Sequence, residues 1–264
     1  MRVLRALPDL FRVQFAQVVA YRAEFVIWML TATLPLIMLA LWSSVASDGA
    51  VAGMNQDDLA RYFVVTLVIR QLTSIWLVWT FGFEVRTGKL SARLLKPMNP
   101  LWLDAAGILS ALPLRLLVLI PLVAGVIWWR PGLLFVPDPT ALLLAIPALL
   151  VAWLLHFAIQ VCFSLTAFWI DKADSLFMVF FAFFAFFSGY VAPLALFPEW
   201  SQTALNVLPF RAMHAAPTEL IAGMSDASTA GVDLAVGVGW LLAFTLLGRW
   251  LWTAGLKRYG AFGG

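Results

Sequence analysis

The sequence predicts an all-α integral membrane protein: an interfacial N-terminal amphipathic helix followed by six transmembrane helices. Composition is the first reason. Of 264 residues, 63% are apolar and 12% charged, whereas a soluble domain carries about half and about a quarter. The second reason is the recurrence of apolar runs, each long enough to cross a hydrocarbon layer of about 30 Å. The third is that charges collect between the runs and sort by sign. Backbone N–H and C=O groups in lipid must bond internally, which leaves helices or a closed barrel. These runs are too long and too uniformly apolar for barrel strands.

Residues 1–22 read as a helix lying in the membrane interface. Leu4, Leu7, Phe11, Phe15 and Val18 share one face, and Arg2, Arg5, Asp9 and Arg12 the other. The alternative is a polar extension of the first span. A compact apolar core with a small-residue cleavage site is absent, so the stretch is not a signal peptide. Spans are expected near 24–46, 60–83, 105–128, 141–169, 175–196 and 232–254. Pro113, Pro121 and Pro147 predict kinks. Ala235, Gly239 and Ala243 recur every four residues in the sixth span, a pattern read as close packing within the chain. No repeat or linker divides the sequence, so 1–264 reads as one membrane domain.

Lys and Arg set the expected orientation. Eleven of them (Arg2, Arg5, Arg12, Arg22, Arg86, Lys89, Arg93, Lys96, Lys172, Lys257 and Arg258) fall on one side, against Arg61, Arg130 and Arg211 on the other. Both termini are therefore expected in the cytoplasm, in a cell inner membrane. The outer segments carry Asp48, Asp57, Asp58, Glu199, Glu219, Asp226 and Asp233.

Two connecting segments stand out. The stretch 84–100 carries Arg86, Lys89, Arg93 and Lys96 at spacings of three, four and three, which places all four on one face of a helix. Gly88 permits a bend, Leu90 and Leu94 lie beside the basic face, and Pro97 and Pro100 end the helix. Docking to a partner and anchoring to anionic lipid both fit this pattern. The stretch 197–231 is too broken to span and too apolar to be a free loop. Pro198 suits the first turn of a short helix with Trp200, Leu205 and Leu208, while Pro209 and Pro217 interrupt the chain beyond it. A re-entrant element and a surface loop anchored by Trp200 both remain open.

The absences narrow the chemistry. Five residues separate Gly82 from Gly88, and Leu90 comes after Lys89, so the phosphate-loop spacing fails. The sequence offers no catalytic constellation and no metal-ligand spacing. His156 and His214 are far apart, and Cys162 stands alone. Glu24, Glu84, Asp104, Asp171 and Asp174 sit near the basic ends of spans, not deep within them, which argues against ion coupling. A net charge of +3 matches the topology and implies no nucleic-acid partner. Arg70 and Arg115 fall about ten residues into their spans. Each costs about 2.5–3.5 kcal/mol to insert. Backbone carbonyls freed by Pro113, a wet cavity, another chain or an anionic cargo are their expected partners.

The order of "FEVRTGKLSARLLKPMNPLW", "FWIDKADSL", "SGYVAPLALFPEW", "LPFRAMHAAPTELIAG" and the terminal "KRYGAFGG" resembles the permeases of type-2 ATP-binding-cassette exporters, over nearly the whole chain. The resemblance implies the fold of those permeases. It also implies a transporter of two permease chains, identical or related, with two cytoplasmic ATPase subunits that carry ATP and Mg. No catalytic residue or metal site falls on this chain. In that family the segment after span two couples to the ATPase, a role that here falls on Glu84, Arg86, Thr87, Gly88, Lys89, Leu90, Arg93 and Leu94. The resemblance makes Pro193, Pro198, Trp200, Pro209 and Phe210 candidates for an outer gate; the depth of Arg70 and Arg115 in consecutive spans makes them candidates for the substrate path, or for a structural role in a kinked helix. The Phe-rich "LFMVFFAFFAFF" suits an amphiphilic or lipid-like cargo, or simply packing. The alternative function is a non-transporting membrane scaffold of an ATPase-coupled envelope or signalling complex.

Overall fold

The computed structural model describes residues 12–13, 15–16, 19–20, 34–133 and 138–261. The interfacial helix at 1–22 and the start of the first span lie largely outside them. The described part is α-helical, in the order α1 (Leu34–Val45), α2 (Gln56–Thr73), α3 (Leu77–Arg86), α4 (Leu90–Leu94), α5 (Pro100–Ser110) and α6 (Leu112–Trp129). Then come α7 (Pro139–Leu165), α8 (Ala173–Phe187), α9 (Glu199–Val207), a π-helical turn at Arg211–Ala215, α10 (Ala216–Ile221) and α11 (Ala227–Ala261). Among the described residues, four stretches are long and apolar enough to cross a membrane: Gln56–Arg86, Pro100–Trp129, Pro139–Phe168 and Ala227–Tyr259.

Helix ends obey local chemistry. Asn55 accepts from the Asp57 and Asp58 amides, and Asp58 reaches back to the Asn55 amide, which closes a capping box on α2. Asn99 caps α5 ahead of Pro100, and Asp138 caps α7 ahead of Pro139. Asp226 accepts from the Thr229 amide at the start of α11, and these bonds hold its carboxyl below its ordinary value.

α7 is the central post. It packs against α11 along its length and against α3, α8, α10 and the π-turn. The α7–α11 contact corrects the small-residue reading. Ala235, Gly239 and Ala243 face outward and exposed. The contact is made instead by Gly237, where a Cβ would lie 2.8 Å from Val151 Cγ1, and by Gly248 and Gly255, where it would meet Val161 and the Phe168 ring. α11 is apolar on all sides, so periodicity could not tell which small residues face inward.

Two spans also differ from expectation. The second starts at Gln56 and breaks at Ser74–Trp76, where 60–83 predicts one helix. The fifth ends at Phe187 rather than near 196, because Gly189 turns the chain at φ +85° and Pro193 lies just beyond. The third span is interrupted at Ala111, two residues before Pro113, whereas α6 and α7 run on through Pro121 and Pro147.

Candidate functional site

The break in the second span falls inside the apolar stretch Gln56–Arg86, where freed backbone groups must find partners. Spans three and four supply them. Arg115 Nη1 donates to Gln71 O at 2.9 Å and to Ser74 O at 2.8 Å. Gln160 closes the gap from the other side: its Nε2 donates to Ile75 O at 2.7 Å, and its Oε1 accepts from the Val78 amide at 3.2 Å. The carbonyls that hold Arg115 are therefore freed by Ser74–Trp76 and not by Pro113.

Arg70, one turn above the break, is buried at 5% exposure. Its guanidinium carbon sits 5.4–5.6 Å from the ring centroids of Phe181, Tyr190 and Trp76. A desolvated cation–π contact contributes up to about 2 kcal/mol. Three of them are comparable with the insertion cost of about 2.5–3.5 kcal/mol. Arg70 Nε has no hydrogen-bond partner among the described residues, and it borders a void of about 10 Å³, the size of one water. The histidines, remote in sequence, converge here. Both pack edge-on to Phe184, with centroids 5.2 Å away for His156 and 6.1 Å for His214. His156 Nδ1 donates to Ala152 O at 2.9 Å, which leaves Nε2 as an unused acceptor.

The basic end of the second span forms an elbow. α3 ends at Arg86, Gly88 turns at φ +73°, and α4 lasts five residues. The expected single basic face does not form. Arg93 turns inward: it pairs with Glu84, and its Nη2 donates at 2.7 Å to both Asp104 Oδ1 and Pro100 O. Burial alone would lower the Arg93 guanidinium, but Asp104 and Glu84 hold it above its ordinary value. Arg86 donates to Asp171 O at 2.7 Å, and Lys89 Nζ lies 4.8 Å from the Phe83 centroid. Leu90 is fully buried with Phe81, Leu165 and Phe168, and Leu94 packs against the same cluster. Both leucines therefore anchor the elbow from within. Its outward surface is Thr87, Gly88, Lys89, Ser91, Ala92, Leu95 and Lys96, with Leu95 at 88% exposure. The sequence pattern singles out Leu90 and Leu94 beside the basic face, whereas the structure buries those two and exposes Leu95.

The segment from Gly189 to Ile221 is tied down at several points. Tyr62 Oη donates to Gly189 O at 2.7 Å, Trp42 Nε1 to Val191 O at 3.0 Å, and Trp240 Nε1 to Val207 O at 2.7 Å. Pro193 and Pro198 flank the short turn Leu194–Leu196, and Pro198 precedes α9 rather than entering it. Leu208 lies just beyond the helix. Trp200 is 84% exposed, whereas Phe210 packs on Phe180 and Phe187. Pro217 does not break the chain. It sits in the first turn of α10, and the wider π-turn just before it accommodates the missing N–H. That turn presents Arg211 to two acids: Nε donates to Asp233 Oδ1 and Nη2 to Glu219 Oε2, both at 2.8 Å. The sequence assigns these three to the outer side as separate charges, whereas here they form a buried cluster.

A helical bundle with membrane-length apolar helices and a discontinuous span is the architecture of a multi-pass membrane protein. The family model described as "ABC-2 family transporter protein" matches residues 24–263, so the chain belongs to that family and is a permease subunit of an ABC transporter. No curated protein and no solved structure matches it.

Proposed function

We propose that this permease is one half of an ATP-driven exporter of an amphiphilic substrate. Two such chains, identical or related, work with two ATPase subunits that supply ATP and Mg. Both termini and the elbow face the cytoplasm, as the distribution of Lys and Arg supports. The observation that carries the reading is the elbow. Arg93 ties the end of span two to the start of span three, while Lys89, Ser91 and Leu95 remain outward. A push on that surface moves both spans together. The interior void beside Arg70 holds about one water, so the cargo path runs between two chains. Pro193 to Phe210 close it on the outer side. Arg115 serves the broken helix, and Arg70 sets the charge near it.

Single cysteines at Ser91 and Ser225, in a chain with Cys162 replaced, test the orientation. An impermeant thiol reagent on intact cells labels 225 and spares 91; labelling at 91 overturns the assignment. Leu95→Asp then lowers ATPase association without loss of membrane insertion. Unchanged association and transport would return the elbow to a lipid anchor.

A further inference from the structure

A groove of about 470 Å³ lies between α5, α7 and α11, away from the break and the outer segment. Its lining is graded. Trp153, Phe157, Leu241 and Phe244 form the inner walls, while Asn99 and Arg249 stand at the end nearer the basic side. Arg249 lies eight residues beyond Leu241 on α11, about 12 Å closer to that side. Its guanidinium is exposed and makes no hydrogen bond or ion pair with any described residue.

The polar end favours anions. Asn99 Oδ1 already accepts from the Leu101 amide at 2.9 Å, so its Nδ2 donors are the free side of that group. Trp102 adds an indole N–H, and no carboxylate lines the groove among the described residues. Further in, Trp153 Nε1 is buried without an acceptor among the described residues. Volume and wall chemistry match a binding site for a small amphiphile. A cation with flanking tryptophans at the membrane boundary matches a headgroup.

We propose that this groove holds one anionic phospholipid of the cytoplasmic leaflet, its phosphate on Arg249 and Asn99 and an acyl chain along Trp153, Phe157 and Phe244. The leaflet rests on the orientation proposed above; the headgroup chemistry does not.

The delipidated full chain in mild detergent is titrated by native mass spectrometry with phosphatidylglycerol, phosphatidylcholine and inorganic phosphate. Phosphatidylglycerol is expected to fill one site about tenfold more tightly than phosphatidylcholine. Both headgroups carry the phosphate, but the choline cation offsets its charge beside Arg249, so Arg249→Gln weakens phosphatidylglycerol about tenfold, the worth of one charge-assisted contact, and removes the preference. Thr245→Trp, an exposed wall position, fills the groove and weakens both lipids. Equal binding of the two lipids, indifferent to Arg249→Gln, overturns the proposal. So does competition by inorganic phosphate at the same concentration, which would mark a site for a free anion. Dissociation of a protein dimer by Thr245→Trp, with lipid binding intact, would make the groove a protein interface and also overturn it. Failure of the orientation alone would leave the phosphatidylglycerol preference in place and move it to the other leaflet.

Discussion

Arg93→Met isolates the strut at the elbow. The guanidinium holds Glu84, Asp104 and Pro100 O together, and the three side chains are only 14–17% exposed. Removing it leaves two carboxylates facing each other without a partner. Breaking a buried pair in this way costs about 3–5 kcal/mol. The residual exposure and the remaining packing of α4 place the loss near the lower end, about 3 kcal/mol. The measurement is unfolding of the purified chain in mild detergent, by heat or by a denaturing surfactant. The triple variant Arg93→Met/Glu84→Gln/Asp104→Asn recovers most of the loss, because removing every charged partner leaves nothing unpaired. Lys89→Glu, exposed on the Phe83 ring, stays within about 0.5 kcal/mol of the parent and instead weakens ATPase association. Because the Arg93 pKa is raised, its contribution is complete below the ordinary arginine value and fades only as pH rises beyond it. The strut is therefore insensitive, from the arginine side, across the usable range. If Arg93→Met leaves stability unchanged and costs only ATPase binding, the arginine points outward and the elbow is not tied to span three.

The packing and the caps set three more outcomes. Gly255→Ala and Gly237→Ala press a methyl into Phe168 and Val151 and destabilise by about 1–3 kcal/mol, whereas Gly239→Ala, with nothing within 4 Å, does not; thermal melting separates them. Arg115→Leu strips Gln71 O and Ser74 O of their donor and destabilises the chain, while Arg115→Gln recovers part of the loss, as read by hydrogen exchange at the break. Equal stability of both variants would return Arg115 to the cargo path. The Asp226 carboxyl has a depressed pKa, so its cap is present above the ordinary aspartate value and lost as pH falls through the depressed one. Amide exchange at 227–230 should quicken in acid, and Asp226→Asn should abolish that pH dependence.

Much of the bundle was legible because solvent chemistry dictates it: lipid demands helices, and apolar length marks where they run. The bend at Gly88 obeys rules that act over a few residues. The break at Ser74–Trp76 was hidden because no Gly or Pro lies in it. Its cause is tertiary, the pair Arg115 and Gln160 from other spans. Their partners lie 41–44 and 82–85 residues away. The Arg211 cluster depends on a π-turn that brings together residues 8 and 22 apart. Arg93 was counted as a surface cation because helical spacing says which face a residue occupies, not whether Glu84 and Asp104 will cover that face.

The most direct test of the coupling account is a photo-activated crosslinker placed at Leu95, with Ser225 as the control, in the full chain within its own membrane. The account predicts that position 95 captures an ATP-binding-cassette ATPase, identified by mass spectrometry, and that position 225 does not. Capture of that ATPase from 225, or capture of lipid alone from 95, would contradict it.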